Sequence, residues 1–200
     1  MVKSILIVFG IVRTLSLALF LVACASVGTK KEQQEIRTLV KEGFYRQALE
    51  VVKSSNIYQE ETSVFLKSCE IGRLWFLMGA YDNAITELTK AKEIYQALYK
   101  ESTTDKVKNL LANDNYKTYY GETYERSSLN FLLSMSHFIQ YESGVKKSYD
   151  EEKKELVSVT LNDADRRQEL FRARAEVIEW DSFLNQKIGE NYGESVFKND

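Results

Sequence analysis

Ile71-Gly72-Arg73-Leu74-Trp75-Phe76-Leu77-Met78-Gly79-Ala80-Tyr81-Asp82-Asn83-Ala84 is the stretch on which the fold of this chain turns. Its large apolar residues continue a pattern begun at Val64 and Phe65: Ile71, Leu74, Trp75 and Met78 recur at steps of three and four and share one helix face. Gly79 follows as a natural terminator, because glycine enters the left-handed conformation that closes a helix without steric cost. Asp82 or Asn83 is then placed to cap a second helix, striped by Ala84, Ile85, Leu88, Ala91, Ile94 and Tyr95. Gly72 and Ala84 are small where two antiparallel helices must approach closely, and Trp75, Tyr81 and Leu88 fill the space around that contact.

The same corner occurs 36 residues earlier, where Gly43-x-Tyr45-x-x-Ala48 matches Gly79-x-Tyr81-x-x-Ala84. Ile36, Leu39 and Val40 share a face before it, Ala48, Leu49 and Val52 follow it, and Ser54-Ser55-Asn56 reads as a stop. Together these residues resemble the tetratricopeptide repeat, in which an aliphatic-Gly pair, an aromatic residue, an alanine and a large apolar residue return at a period of about 34. The resemblance implies an all-α fold of antiparallel helix pairs, stacked as a short solenoid. It also implies a concave groove lined by the first helix of each pair, here Leu66, Arg73, Phe76 and Leu77, with Tyr120 and Tyr124 extending it beside Tyr116 and Tyr119. Phe76 and Leu77 read equally well as ordinary core. The departures are Ser68 where the repeat has Trp, Gln96 where it has Pro, and Glu35-Ile36 where the first copy lacks the aliphatic-Gly pair. Three repeats are normally needed for stability, so a third helix pair is expected downstream.

Upstream, Met1-Val2-Lys3-Ser4 opens the chain with a positive charge, and Ile5 to Val22 is apolar apart from Arg13, Thr14 and Ser16. The run ends in Leu21-Val22-Ala23-Cys24, which resembles the lipobox of bacterial lipoproteins. The resemblance implies cleavage between Ala23 and Cys24 and lipidation of Cys24, with palmitate-type acyl chains as the anchor. Residues 1–23 are then a signal peptide, 24–31 a lipidated tether, 32–188 the helical domain and 189–200 a frayed tail. A retained membrane-spanning helix is the rival reading, but it puts Arg13 near the bilayer centre at a cost of about 2.5–3.5 kcal/mol. Ala25, rather than an Asp, leans toward the outer membrane if the proteobacterial sorting rule applies.

The chain has no proline, only 9 glycines and a net charge of −2. Loss of Lys3 and Arg13 with the leader takes that charge to −4, which makes nucleic acid an unpromising partner. With Cys24 lipidated, Cys69 is left without a disulfide partner, either as a small core residue or as a reactive thiol.

Downstream, Ser102-Thr103-Thr104-Asp105 reads as a break, followed by a short helical stretch through Val107, Leu110 and Leu111. Tyr119-Tyr120-Gly121-Glu122-Thr123-Tyr124-Glu125-Arg126 then opens a long helix with Leu129, Leu132, Leu133, Met135, Phe138 and Ile139. Gly121, Glu122, Tyr124, Glu125 and Arg126 resemble a motif that opens a repeat in a group of bacterial repeat lipoproteins, a resemblance that carries no activity with it. A charged insertion around Lys146–Glu155 separates this helix from the last one. Asn162 or Asp163 caps that helix, and Leu170, Ala173, Val177, Trp180, Leu184 and Ile188 form its stripe. Its other faces, with Arg166, Arg167, Glu169, Arg172, Arg174, Glu176 and Lys187, suit a solenoid's soluble terminal cap.

His137, the single histidine, lies in an apolar helix and reads as packed core rather than base or ligand. No HExxH, phosphate loop, GxGxxG or GxSxG occurs, so no cofactor, metal site or catalysis is expected. Glu122, Glu125 and Arg126 form the one polar cluster with a choice of roles: fixing repeat register, binding a ligand, or a plain surface pair. The resulting expectation is a lipid-anchored adaptor in the bacterial envelope that holds a segment of another protein. The alternatives are a small-ligand protein or enzyme using Glu122, Glu125 and Arg126, and a structural lipoprotein that oligomerises through its end helices.

Overall fold

The computed structural model describes residues 30–58, 63–109 and 123–197. Cys24 with its signal peptide, and Tyr120, Gly121 and Glu122, lie outside the described residues. The fold is mostly helical, and the chain divides at Ile57/Tyr58 into two compact units. That division falls inside the span expected to be one helical domain.

In the first unit, helix α1 covers residues 30–41 and α2 covers Tyr45–Ser54. Gly43 turns the corner at φ +82°. Its N–H donates to Val40 O at 3.2 Å, and Phe44 N–H donates to Leu39 O at 2.8 Å. This is the paired hydrogen-bond closure of a glycine-terminated helix. Ile36 on α1 and Ala48, Leu49 and Val52 on α2 are buried, and α2 stops at Ser54 as the sequence predicts.

The second unit begins with α3 (Val64–Leu77) and α4 (Tyr81–Asn109), which pack against each other. Their corner repeats the first bond for bond. Gly79 sits at φ +77°, donates to Phe76 O at 3.0 Å, and is followed by Ala80 N–H donating to Trp75 O at 3.0 Å. Even the bond that opens the second helix returns: Ala48 N–H to Phe44 O, and Ala84 N–H to Ala80 O, both at 3.0 Å. The sequence repeat is thus a repeat of backbone geometry. Close approach is recorded at Gly72, where an added Cβ would lie 2.6 Å from Leu88 Cγ. Ala84, Leu88 and Ala91 are buried along α4.

Two expectations fail along α4. The helix runs without a break through Ser102-Thr103-Thr104-Asp105 to Asn109, since the modest propensity cost of Ser, Thr and Asp does not interrupt an established helix. Nor do Asp82 and Asn83 cap it, because the helix already begins at Tyr81 and both side chains turn to a different partner.

That partner is a β-hairpin in the charged insertion, so the fold is not purely α. Strand β1 (Val145–Asp150) pairs antiparallel with β2 (Glu155–Thr160), with Val145 opposite Thr160 and Asp150 opposite Glu155. Asp150 Oδ1 closes the turn by accepting from Glu152 N–H and Lys153 N–H, both at 3.0 Å. Asn83 Oδ1 accepts from Tyr149 N–H at 2.7 Å, Asn83 Nδ2 donates to Tyr149 O at 3.5 Å, and Asp82 pairs with Lys146 at 2.8 Å. The Tyr149 ring lies 5.3 Å from that of buried Trp75.

Helices α5 (Thr123–Ser143) and α6 (Asp163–Phe197) form the remaining pair, with α5 also packed on α4. Asn162 caps α6, its Oδ1 accepting from Ala164 N–H and Asp165 N–H at 2.9 Å. The backbone is helical to Phe197. Arg166 binds the last carbonyls of α5, donating to Tyr141 O at 2.5 Å and Glu142 O at 3.3 Å, where a cation also complements the helix dipole.

Of the expected stripe on α6, Ala173 is buried and Leu170, Trp180 and Leu184 are half-buried, while Val177 is exposed. Glu169, Ala173 and Phe183 are buried, whereas Phe171, Val177 and Ile178 are exposed. A terminal cap with a polar outer side is therefore not what α6 provides. The buried side of α6 includes two residues outside that stripe, Glu169 in contact with His137 and Phe183 stacked on Arg126.

Candidate functional site

Leu66, Cys69, Glu70 and Arg73 stand at successive steps of three, one and three along α3, which places them on one face of that helix. Across from them, the first turns of α5 bring Tyr124, Glu125, Ser128, Leu129 and Leu132. Between the two helices lies a pocket of about 280 Å³, with Leu88 of α4 at its floor. Three of the predicted groove residues, Leu66, Arg73 and Tyr124, meet here, and Glu125 of the motif joins them.

Polar chemistry is concentrated at Arg73. Its guanidinium donates to Glu70 at 2.6 Å, while its Nε is buried with no hydrogen-bond partner. Tyr124 is 70% exposed and its hydroxyl lies 3.4 Å from Glu125 Oε1. Burial, helped by the negative charges of Glu125 and Glu70, pushes the Cys69 thiol up to about 12. Cys69 is thus a neutral, weakly polar wall of the pocket and not a nucleophile at ordinary pH. Apolar walls with one unsatisfied cationic donor suit a segment that brings side chains and a carbonyl or carboxylate.

Of the other predicted groove residues, Tyr120 lies outside the described residues, and Phe76 and Leu77 do not line this pocket. Phe76 packs edge-on against Tyr81, with centroids 5.6 Å apart, and so belongs to the corner. Leu77 is exposed at the end of α3. Sequence reasoning missed Cys69, Glu70 and Ser128. The first two were legible, because they lie one turn from Leu66 and Arg73 on the same face.

Arg126 does not face the pocket. Its guanidinium is sandwiched between two rings, 3.7 Å from the centroid of Tyr95 on α4 and 3.7 Å from that of Phe183 on α6. It therefore ties three helices together. Near it, Lys92 of α4 bridges Glu176 at 2.9 Å and Glu179 at 2.6 Å on α6. Burial disfavours the Lys92 ammonium, but the hydrogen bonds it donates to Glu179 and Glu176, with their negative charges, outweigh this, so its pKa is raised.

His137 is buried, at 6% exposure, and its Nδ1 lies 2.5 Å from Glu169 Oε2, itself 5% exposed. Arg172 holds the other carboxylate oxygen at 2.6 Å. The histidine is a core residue, as its helix context predicts, with a buried polar partner that the sequence conceals. Among the described residues no group of three or more His, Cys, Asp or Glu could hold a metal ion, and no helix is long and apolar enough to cross a membrane. Compared with known proteins, the chain matches no family, no curated sequence and no solved structure.

Proposed function

We propose that this chain is a lipid-anchored adaptor of the bacterial cell envelope, which holds a segment of another envelope protein in the pocket between α3 and α5. The observation that carries the reading is the meeting of Leu66, Arg73 and Tyr124 around one cleft. Exposed tyrosine, apolar walls and an arginine are the composition of protein-binding surfaces. The buried Nε of Arg73 has no partner among the described residues and would gain one from a bound carbonyl or carboxylate.

The helix corners at Gly43 and Gly79, identical in their hydrogen bonds, support a tetratricopeptide-like design for each pair. The lipobox at Leu21–Cys24 supports the anchor and, through Ala25, the outer membrane. A diacylglyceryl group with an N-acyl chain supplies more than the two signals that stable attachment takes. The seating of Arg126 between two rings supports a structural job for that residue rather than a place in ligand chemistry.

Photo-crosslinking in living cells tests the adaptor. A crosslinking amino acid at Tyr124 is expected to capture one discrete protein, and Arg73→Glu is expected to abolish the capture while the fold survives. Capture of lipid or peptidoglycan alone would sink the reading. Mass spectrometry of the mature N-terminus tests the anchor separately, since an unmodified Cys24 thiol would remove it.

A further inference from the structure

Helix α6 carries a second surface, which shares no lining residue with the Arg73 pocket. Arg167, Phe171, Arg174, Ile178, Asp181 and Asn185 follow one another at steps of four and three, and all are exposed. This is the spacing of a helix seam that meets another helix. Phe171 is 64% exposed and Ile178 67%, a large apolar display for one helix. Beside the seam, Met135 and Phe138 of α5 and Leu170 and Val177 of α6 line an open groove of about 460 Å³.

The charges on the seam are ordered. Arg167 and Arg174 lie toward its start and Asp181 toward its end, and neither arginine has an ion pair among the described residues. Among the described residues Asp181 meets only the Asn185 amide, at 3.2 Å. A like seam laid antiparallel, centred between Val177 and Ile178, puts each Arg174 alongside the other copy's Asp181. Each Ile178 then faces the other copy's Val177, which lines the groove, and each Phe171 flanks that centre. A parallel arrangement would set arginine against arginine. The seam is thus complementary to itself in one direction only, as an isologous two-fold contact requires.

We propose that a second copy of this chain covers the α5–α6 face, forming an antiparallel homodimer in which Ile178 of each copy enters the groove of the other and Phe171 flanks it. Sedimentation of the full chain in mild detergent, over a range of concentrations, tests it. The wild type is expected to reach a dimer, and Phe171→Glu with Ile178→Glu to stay monomeric with an unchanged helical circular dichroism spectrum. Arg174→Glu and Asp181→Arg are each expected to weaken association by about tenfold or more, and the two together to restore most of it. A wild type that remains monomeric, or a dimer indifferent to Ile178→Glu, would overturn the proposal. So would a doubly reversed chain no better than the single variants, because another molecule or another direction of pairing would then cover the face.

Discussion

The guanidinium of Arg126 stacks on the ring of Phe183, 3.7 Å from its centroid, and so joins the start of α5 to a distant turn of α6. With Tyr95 on its other side, it fixes α4, α5 and α6 in one arrangement. Desolvated cation–ring contacts are worth about 2 kcal/mol, so Arg126→Ala is expected to lower unfolding stability by about 2–3 kcal/mol. Arg126→Lys should recover only part of this, since an ammonium cannot stack its plane on two rings. Urea denaturation of the three proteins measures both differences.

Gly72 and Gly79 are both required, for different reasons. An alanine at 72 collides with Leu88 Cγ at 2.6 Å and nears Leu88 N at 3.3 Å, so Gly72→Ala should cost about 1–3 kcal/mol through overpacking. At position 79 there is open space but φ is +77°, so Gly79→Ala should cost about 1–2 kcal/mol through backbone strain. A thermal melt of a Leu88→Ala background separates them: the first penalty shrinks there and the second does not.

Lys92 links α4 to α6 through two carboxylates, and its folded pKa is raised above the unfolded value of about 10.4. The folded state therefore holds this proton more tightly than the unfolded chain. Its contribution is complete below about pH 10 and is lost as pH rises through the folded pKa. Lys92→Met should lower stability at pH 7 by an amount between the roughly 1 kcal/mol of exposed pairs and the 3–5 kcal/mol of buried ones. The gap from wild type should narrow in alkaline unfolding curves.

Cys69, with its thiol pushed up to about 12 by burial and the nearby Glu125 and Glu70 charges, should resist alkylation. At pH 8 iodoacetamide is expected to label it only when the chain is unfolded, since the thiolate is the reactive species. The sign for stability follows: an unfolded thiol ionises near 8.5, so the fold loses stability between about pH 8.5 and 12, where the unfolded thiol sheds its proton and the folded Cys69 keeps it. Rapid labelling of the native protein at pH 8 would contradict the burial.

Sequence patterning revealed those features whose causes lie within a few residues. Gly43 and Gly79 announce helix ends, and Asn162 announces a cap. The hairpin stayed hidden because Lys146, Lys147, Glu151, Glu152, Lys153 and Lys154 dominate its stretch. Its four-residue turn is closed by Asp150 and lacks the Asn-Gly or Asp-Gly signal of shorter hairpins. Glu169 read as surface because its partner His137 stands 32 residues away. Burial of that kind is decided by tertiary contacts, to which helical periodicity is blind. Phe183 and Arg126 were missed as a pair for the same reason.

The grip of Asn83 on the hairpin has a consequence for how this protein can change. Its amide holds only the main chain of Tyr149, through N–H and C=O groups that every residue but proline presents alike. Swapping side chains elsewhere in β1 leaves that grip intact. Adding or removing one residue between Gly144 and Tyr149 turns the Tyr149 ring to the opposite side, away from Trp75. The insertion is therefore free to drift in composition while its length is held fixed.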